Sequence, residues 1–306
     1  MPVNLFATVL THAAPSGNYR GESEENRTVL QKISKLDFSG ERQLHTVVSP
    51  EAMRNALRDI LAQRLGADSW GKSINRRRLH DEGQLAVEFA DFPDASKYAD
   101  DFLFGFMVAD EKEIKKLKRP AKRDSVLRMN LAVSIDPYAF DATFHQSPMS
   151  AGESPWKNAP KSALLHREVA WTAYQYPFAL AGSDFTSNKE RSWGRELLKA
   201  IGELTNVAGG QARSYFEMAP HSIVIRLTER LVGGFDTYAF RSDGSWSELG
   251  RLKHDDLAPS EFILGGAVVR ALKTEQRQAL TAAKVQLFDN ANAALDAASA
   301  TFLGKG

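Results

Sequence analysis

SPEAMRNALRDILAQRL, residues 49–65, announces a helix: Ser49 is an N-cap residue and Pro50 stands at the first helical position. Met53, Ala56, Leu57, Ile60 and Leu61 fall on one face of it, at spacings of three and four. Arg54 and Arg58 stand one turn apart on another face. The helix is expected to end near Leu65. Before it, VNLFATVLTH (3–12) alternates loosely and is rich in strand formers, then enters a polar stretch, PSGNYRGESEENR (15–27), that reads as a loop.

After the helix, residues 66–124 lose clear periodicity and read as an insertion. They hold consecutive Arg76, Arg77 and Arg78, the run DDFLFGFM (100–107), and seven Lys or Arg between Lys112 and Arg123. VLRMNLAVSI (126–135) returns to strand character, and a polar, proline-containing excursion follows over 136–166. That length without period implies a functional loop or a projecting hairpin. REVAWTAYQYPFAL (167–180) reads as a strand despite Pro177 near its end. Residues 188–205 form an amphipathic helix with Trp193, Leu197, Leu198, Ile201 and Leu204 inward, closed by Gly209 and Gly210. SIVIRL (222–227) is a strand, VGGFDTYAFR (232–241) resembles another, and the Ala-rich tract 260–303 reads as helical.

In order this is β, α, insertion, β, excursion, β, α, β. The split βαβ of a ferredoxin-like sheet has that order, so the fold class expected is α+β, a single domain over 1–306. Such a sheet is one platform for RNA recognition, yet the topology serves many unrelated tasks.

The 306 residues, 43% hydrophobic and 25% charged, are enough for a sizeable core and sit at globular averages. With no cysteine, disulfides, thiolate metal sites and cysteine nucleophiles are excluded together. The opening MPVNLFATVLTHAAPSG lacks a basic n-region and a long apolar h-region, and no stretch approaches a membrane span, so the expected location is the cytoplasm. A net charge of +1 argues against coating nucleic acid by bulk charge; any such site has to be local.

Catalytic patterns are missing. None of His12, His45, His80, His145, His166, His221 and His254 forms the i,i+4 pair with a flanking Glu that a zinc hydrolase helix needs. GGQAR (209–213) and GGFD (233–236) lack phosphate-loop spacing, and no GxSxG elbow exists. Asp100–Asp101 and Asp255–Asp256 read as solvated neighbours. Glu22, Glu24 and Glu25 cluster where acid-based catalysis has its best opening. The expectation is no metal, no cofactor and no bond-breaking chemistry.

Three segments carry a resemblance. GERQLHTVVSPEAMRNALRDIL (40–61), behind the opening strand and its Asn/Arg loop, resembles the Cas family seven backbone proteins, especially the DevR-like branch of type I-B systems. DDFLFGFM with KRDSVLRMNLAVSI, and REVAWTAYQYPFAL with LLKAIGELTNVAGGQARS and the ensuing Ala-Pro, look like the same branch. They span most of residues 3–240, in family order.

The resemblance implies an RRM-like palm of the RAMP superfamily, with fingers at 66–124, a thumb hairpin at 136–166 and a helical segment at 260–303. It implies copies stacked head to tail along a guide RNA (crRNA) in a Cascade surveillance complex. Other copies of the chain, subunits of Cas families 5, 6 and 8, and the target DNA strand would be its partners, with no membrane. Family basic positions fall on Arg54 and Arg58, which are placed to grip successive phosphates. Asn18, Arg20, Arg42, His45, Ser49 and Arg213 are further guide-binding candidates by position, and Phe144, His145, Gln146 and Met149 are stackable or wedging side chains of the thumb, with Trp156 beside them. Two alternatives stay open: a metal-dependent endoribonuclease like the related type III backbones, whose loop aspartate has no match in residues 13–28, and a regulator of duplex DNA, for which no helix-turn-helix is visible.

Overall fold

A computed structural model describes residues 3–304 apart from 13–18, 25–26, 37–38, 82–83, 110–111, 113–117, 147–163, 208–215 and 255. Leu5, Ala7 and Val9 point to one side of the first strand and are fully buried, whereas Thr8 and Leu10 point to the other and are buried too. A strand buried on both faces lies inside a covered sheet. In chain order the elements are β1 (Asn4–His12), β2 (Tyr19–Glu24), β3 (Arg27–Leu30), β4 (Lys32–Leu36), β5 (Arg42–Val48), α1 (Pro50–Arg64), β6 (Arg76–Asp81), β7 (Gln84–Phe89) and α2 (Ala99–Phe104). Then come β8 (Phe106–Met107), β9 (Lys122–Arg123), β10 (Arg128–Met129), β11 (Ala132–Ser134), β12 (Ala142–Gln146), β13 (Leu164–Glu168), β14 (Ala173–Ala181), α3 (Asn188–Gly202) and β15 (Ser222–Thr228). The last are α4 (Leu249–Lys253), β16 (Phe262–Gly266), α5 (Ala267–Arg270), α6 (Thr274–Ala282), β17 (Gln286–Phe288) and α7 (Ala291–Leu303).

Among the described residues the main sheet runs β17-β16-β15-β1-β14-β11-β5-β4, with β10 also on β14. Both neighbours of β1 are antiparallel to it: Asn4 faces Ala181 and Thr228, and His12 faces Ala173. Helices α1, α3 and α7 bury Met53, Leu57, Leu61, Leu197, Ile201, Leu295 and Ala298 against one face. Residues 235–252 and Leu257 cover the other, where Phe235, Phe240 and Trp246 pack on Leu10, Val224 and Phe262. The fold is therefore α+β around a large central sheet.

Several elements differ from the sequence reading. The polar stretch 15–27 contains β2 and the start of β3, which pair with each other and, through β13, join β12 in a second sheet ordered β12-β13-β3-β2. Cross-strand hydrogen bonds form there whatever the polarity of the side chains. The run 126–135 is broken into β10 and β11 at Asn130, and 167–180 is broken at residues 169–172, so that β13 leaves for the second sheet while β14 stays in the first. VGGFDTYAFR forms no strand; Phe240 makes a lone bridge with Trp246. Tract 260–303 is helical only in part. Its β16 and β17 extend the main sheet, since FILGG is wholly buried and pairs with β15. Helix α3 ends at Gly202, before Gly209 and Gly210, which lie outside the described residues.

Candidate functional site

Ser49 caps α1 by accepting a hydrogen bond from the Ala52 amide at 3.2 Å. The cap aims the first turns of α1 over a cleft of about 410 Å³ whose lining includes Arg54, Arg58, Arg76 and Arg123 together with the acids Glu51 and Asp124. The Nε atoms of Arg54, Arg58 and Arg76 are buried there and have no hydrogen-bond partner. Buried donors normally find partners, and an unmade bond at a charged group is costly. The guanidinium groups of Arg54, Arg58, Arg76 and Arg123 along one cleft suit an anion with several acceptor oxygens.

The strand period explains how Arg76 arrives. In the triplet on β6, Arg76 turns into the cleft, Arg77 pairs with Glu88 at 2.6 Å and stacks on Trp70, and Arg78 bonds Asp59 on α1. Beneath, Asp100 on α2 accepts from the Asn75 and Arg76 amides at 2.8 and 2.9 Å, and lies 3.6 Å from Arg58 Nε. Asp101 accepts from Asn75 Nδ2 at 2.8 Å and from the Asp94 amide at 2.9 Å. Asp100 and Asp101, expected in solvent, are both buried, because α2 packs into the core and backbone amides receive them.

These placements shift the charges. Burial, then the neighbouring Arg76, pushes the Arg58 guanidinium down to about 10, so it stays cationic at neutral pH. Burial, then the Asp100 charge, pushes the Asp101 carboxyl up to about 6. An unfolded aspartate ionises near about 3.9. The folded protein therefore keeps a proton over a range where the unfolded chain has lost it, and the stability this contributes below that range disappears as pH rises through about 6. Asp101→Asn is expected to flatten the fall in urea midpoint between about pH 4 and pH 7. A wild type as indifferent to pH as the variant would refute the assignment.

The other predicted residues do not gather here. Arg58 is only 7% exposed and lies between Asp100 and the Phe104 ring, so Arg54 and Arg58 do not offer two equivalent free cations. His45 is buried on β5, its Nδ1 2.8 Å from the Ser134 carbonyl oxygen, and serves the core. Arg42 is exposed at the start of the same strand. Arg20 lies on β2, with its side chain outside the described residues, as do the acids Glu22 and Glu24. Asn18, Glu25, Met149, Trp156, Arg213 and Asp255 lie outside them entirely. On β12, Phe144 is exposed and meets His166 edge to face, Gln146 is exposed, and the side chain of His145 is outside the described residues. Arg76 and Arg123 are the site residues that sequence reasoning missed. The Arg triplet was visible, and treating it as a strand would have sent alternate members to opposite faces.

Among the described residues no group of three metal-ligating side chains forms, and no described helix is long and apolar enough to cross a membrane. No family model matches the chain. Over 292 residues it is 32% identical to the CRISPR-associated protein Cas7/Cst2/DevR of Myxococcus xanthus (strain DK1622), covering 93% of each chain. Among solved structures it resembles a chain of a CRISPR RNA-guided surveillance complex, pre-nicking, with a TM-score of 0.60 at 14% identity, over 98% of this chain and 100% of that one. A chain of a CRISPR RNA-guided surveillance complex gives 0.56 at 16% identity, over 97% and 99%. These two likenesses bear on the fold alone.

Proposed function

Because the chain belongs to the CRISPR-associated Cas7/Cst2/DevR family, we propose that it binds guide RNA as one of several identical backbone subunits of a type I surveillance complex and breaks no bond itself. The observation that carries this reading is the cleft under α1, whose lining brings together Arg54, Arg58, Arg76 and Arg123. Guides differ in sequence, so the protein has to hold phosphates while base pairing supplies specificity. A near-neutral chain does this with a local cluster of arginines.

The sheet order supports a ferredoxin-like palm: β15-β1-β14-β11, with α1 following β1 in the chain and α3 following β14. In this reading 66–124 are the fingers and 136–166 the thumb. Copies stack head to tail, subunits of Cas families 5, 6 and 8 complete the assembly, the target DNA strand pairs along the guide, and the complex works in the cytoplasm.

Purified with its guide array, the protein is expected to carry RNA, read as an elevated ratio of absorbance at about 260 to about 280 nm. Arg54→Gln with Arg76→Gln leaves Asp100 its backbone amides and Arg58, so folding is retained. The double variant is expected to lower the slope of log affinity against log salt by about 1.4, from about 0.7 per lost phosphate contact on a single strand. An unchanged slope would remove the cleft from the RNA path, and protein free of RNA would end the reading.

A further inference from the structure

The residues after β15 form a turn that is braced from below. Arg226, 3% exposed, donates to the Gly233 carbonyl at 2.6 Å and to Glu261 at 2.7 Å. Thr228 Oγ1 donates to Glu261 at 2.9 Å and accepts from the Arg230 amide at 3.2 Å, while Asn4 Nδ2 donates to the Arg230 carbonyl at 2.9 Å. Carried on this bracing are Leu231, 87% exposed, and Val232, 63% exposed. An ion pair with a buried guanidinium and a set of hydrogen bonds thus fix two aliphatic side chains in water, where they contribute nothing to the chain's own core.

At the other end of the sheet lies a hollow of about 280 Å³, walled by Pro137, Tyr138, Ala139, Val169, Ala170 and Trp171. Trp171 is 83% exposed. An apolar cavity of about 150 Å³ already takes a benzene-sized group, so a branched aliphatic side chain fits with room. The register puts knob and hollow at opposite ends: Thr228 faces Asn4, and Ala173, two residues after Trp171, faces His12. Along β1 these ends are about 26 Å apart.

We infer that the Leu231–Val232 knob of one copy seats in the Trp171 hollow of the next, a self-association that deepens the stacking proposed above and takes its functional meaning from that reading. Charge favours this pairing. Exposed Arg230 adjoins the knob, and exposed Asp136 and Asp141 line the hollow. The hollow's nearby cation, Lys32, is held by Glu168 at 2.6 Å over the Tyr138 ring, and Glu229 at the knob has contacts within its own chain. A knob and a hollow on opposite ends give a heterologous contact that does not close on itself, so copies add without limit.

The chain has no cysteine, so an introduced pair is unambiguous. A chain carrying Leu231→Cys and Ala139→Cys, incubated with a long oligouridine and oxidised, is expected to give a ladder of covalent multimers. Each single-cysteine chain is expected to stay monomeric on a denaturing gel. A dimer from Leu231→Cys alone would mean that like meets like, and would overturn the inference. Independently, Leu231→Asp with Val232→Asp is expected to cut the population above monomer by at least about tenfold in mass photometry with the circular dichroism spectrum kept, because two unpaired charges would have to enter the hollow. Arg230→Asp is expected to weaken assembly and Asp141→Arg in the same chain to restore it. Wild-type assemblies from the Asp–Asp variant overturn the knob, whatever the gel shows. Oligouridine retention in the same samples is the separate readout: wild type that does not retain it overturns the guide-binding reading and leaves the assembly result to stand or fall by itself.

Discussion

Arg58→Ala is expected to lower the unfolding free energy by about 3–5 kcal/mol, the range seen when one partner of a buried ion pair is removed. The loss follows from what stays behind. Asp100 remains fully buried with two backbone amides and without its 3.6 Å ion-pair partner, and Asp101, next in sequence, adds a second carboxyl to the same volume. Arg58 also covers the Phe104 ring, so its removal opens space in the core. Urea unfolding followed by tryptophan fluorescence at neutral pH measures the change. Asp100→Asn in the same chain is expected to return part of the loss, because an uncharged amide tolerates the absence of the guanidinium. A fall below about 1 kcal/mol would show that Arg58 is a surface cation after all. The result also separates two roles easily confused in binding assays. Charge reversal at Arg58 would abolish RNA retention by unfolding the cleft, which is why the retention test uses Arg54 and Arg76.

Gly105→Ala is the second large effect, with at least about 3 kcal/mol expected. Gly105 has φ +68, and an added Cβ would stand 2.3 Å from the Arg123 carbonyl oxygen and 2.9 Å from the Ser125 nitrogen. Those atoms are backbone and cannot rotate away. The residue ends α2, turns the chain so that Phe104 goes into the core while Met107 is exposed, and lines the arginine cleft. Gly40→Ala is the control. It has φ +86 with nothing within 4 Å of the added carbon, so only the conformational cost of about 1 kcal/mol is expected. Equal thermal shifts for the two variants would refute the close approach at Gly105.

Local patterns proved readable where local forces decide. The cap at Ser49 and the apolar stripe of α1 need only neighbours a turn away, and so does the inward face of α3 at Trp193, Leu197, Leu198 and Ile201. The break at residues 169–172 was not legible, because two sheets compete for one apolar run and only three-dimensional pairing settles which strand goes where. Strand β2 was hidden for the opposite reason. Its polar side chains resemble a loop, and its partner β3 is itself held in a sheet by β13, far along the chain.

By itself the sequence determined the helices α1 and α3, the strands β1 and β15, the absence of thiol chemistry, and the arginine-bearing helix face, since each depends on residue type and short spacing alone. The tertiary structure decided which arginines point at a ligand. Arg58 was drawn inward by Asp100, and Arg76 was brought to the cleft by the pleat of β6. Desolvation and long-range packing act between residues far apart in the chain, and no reading of spacing along one strand of letters contains them.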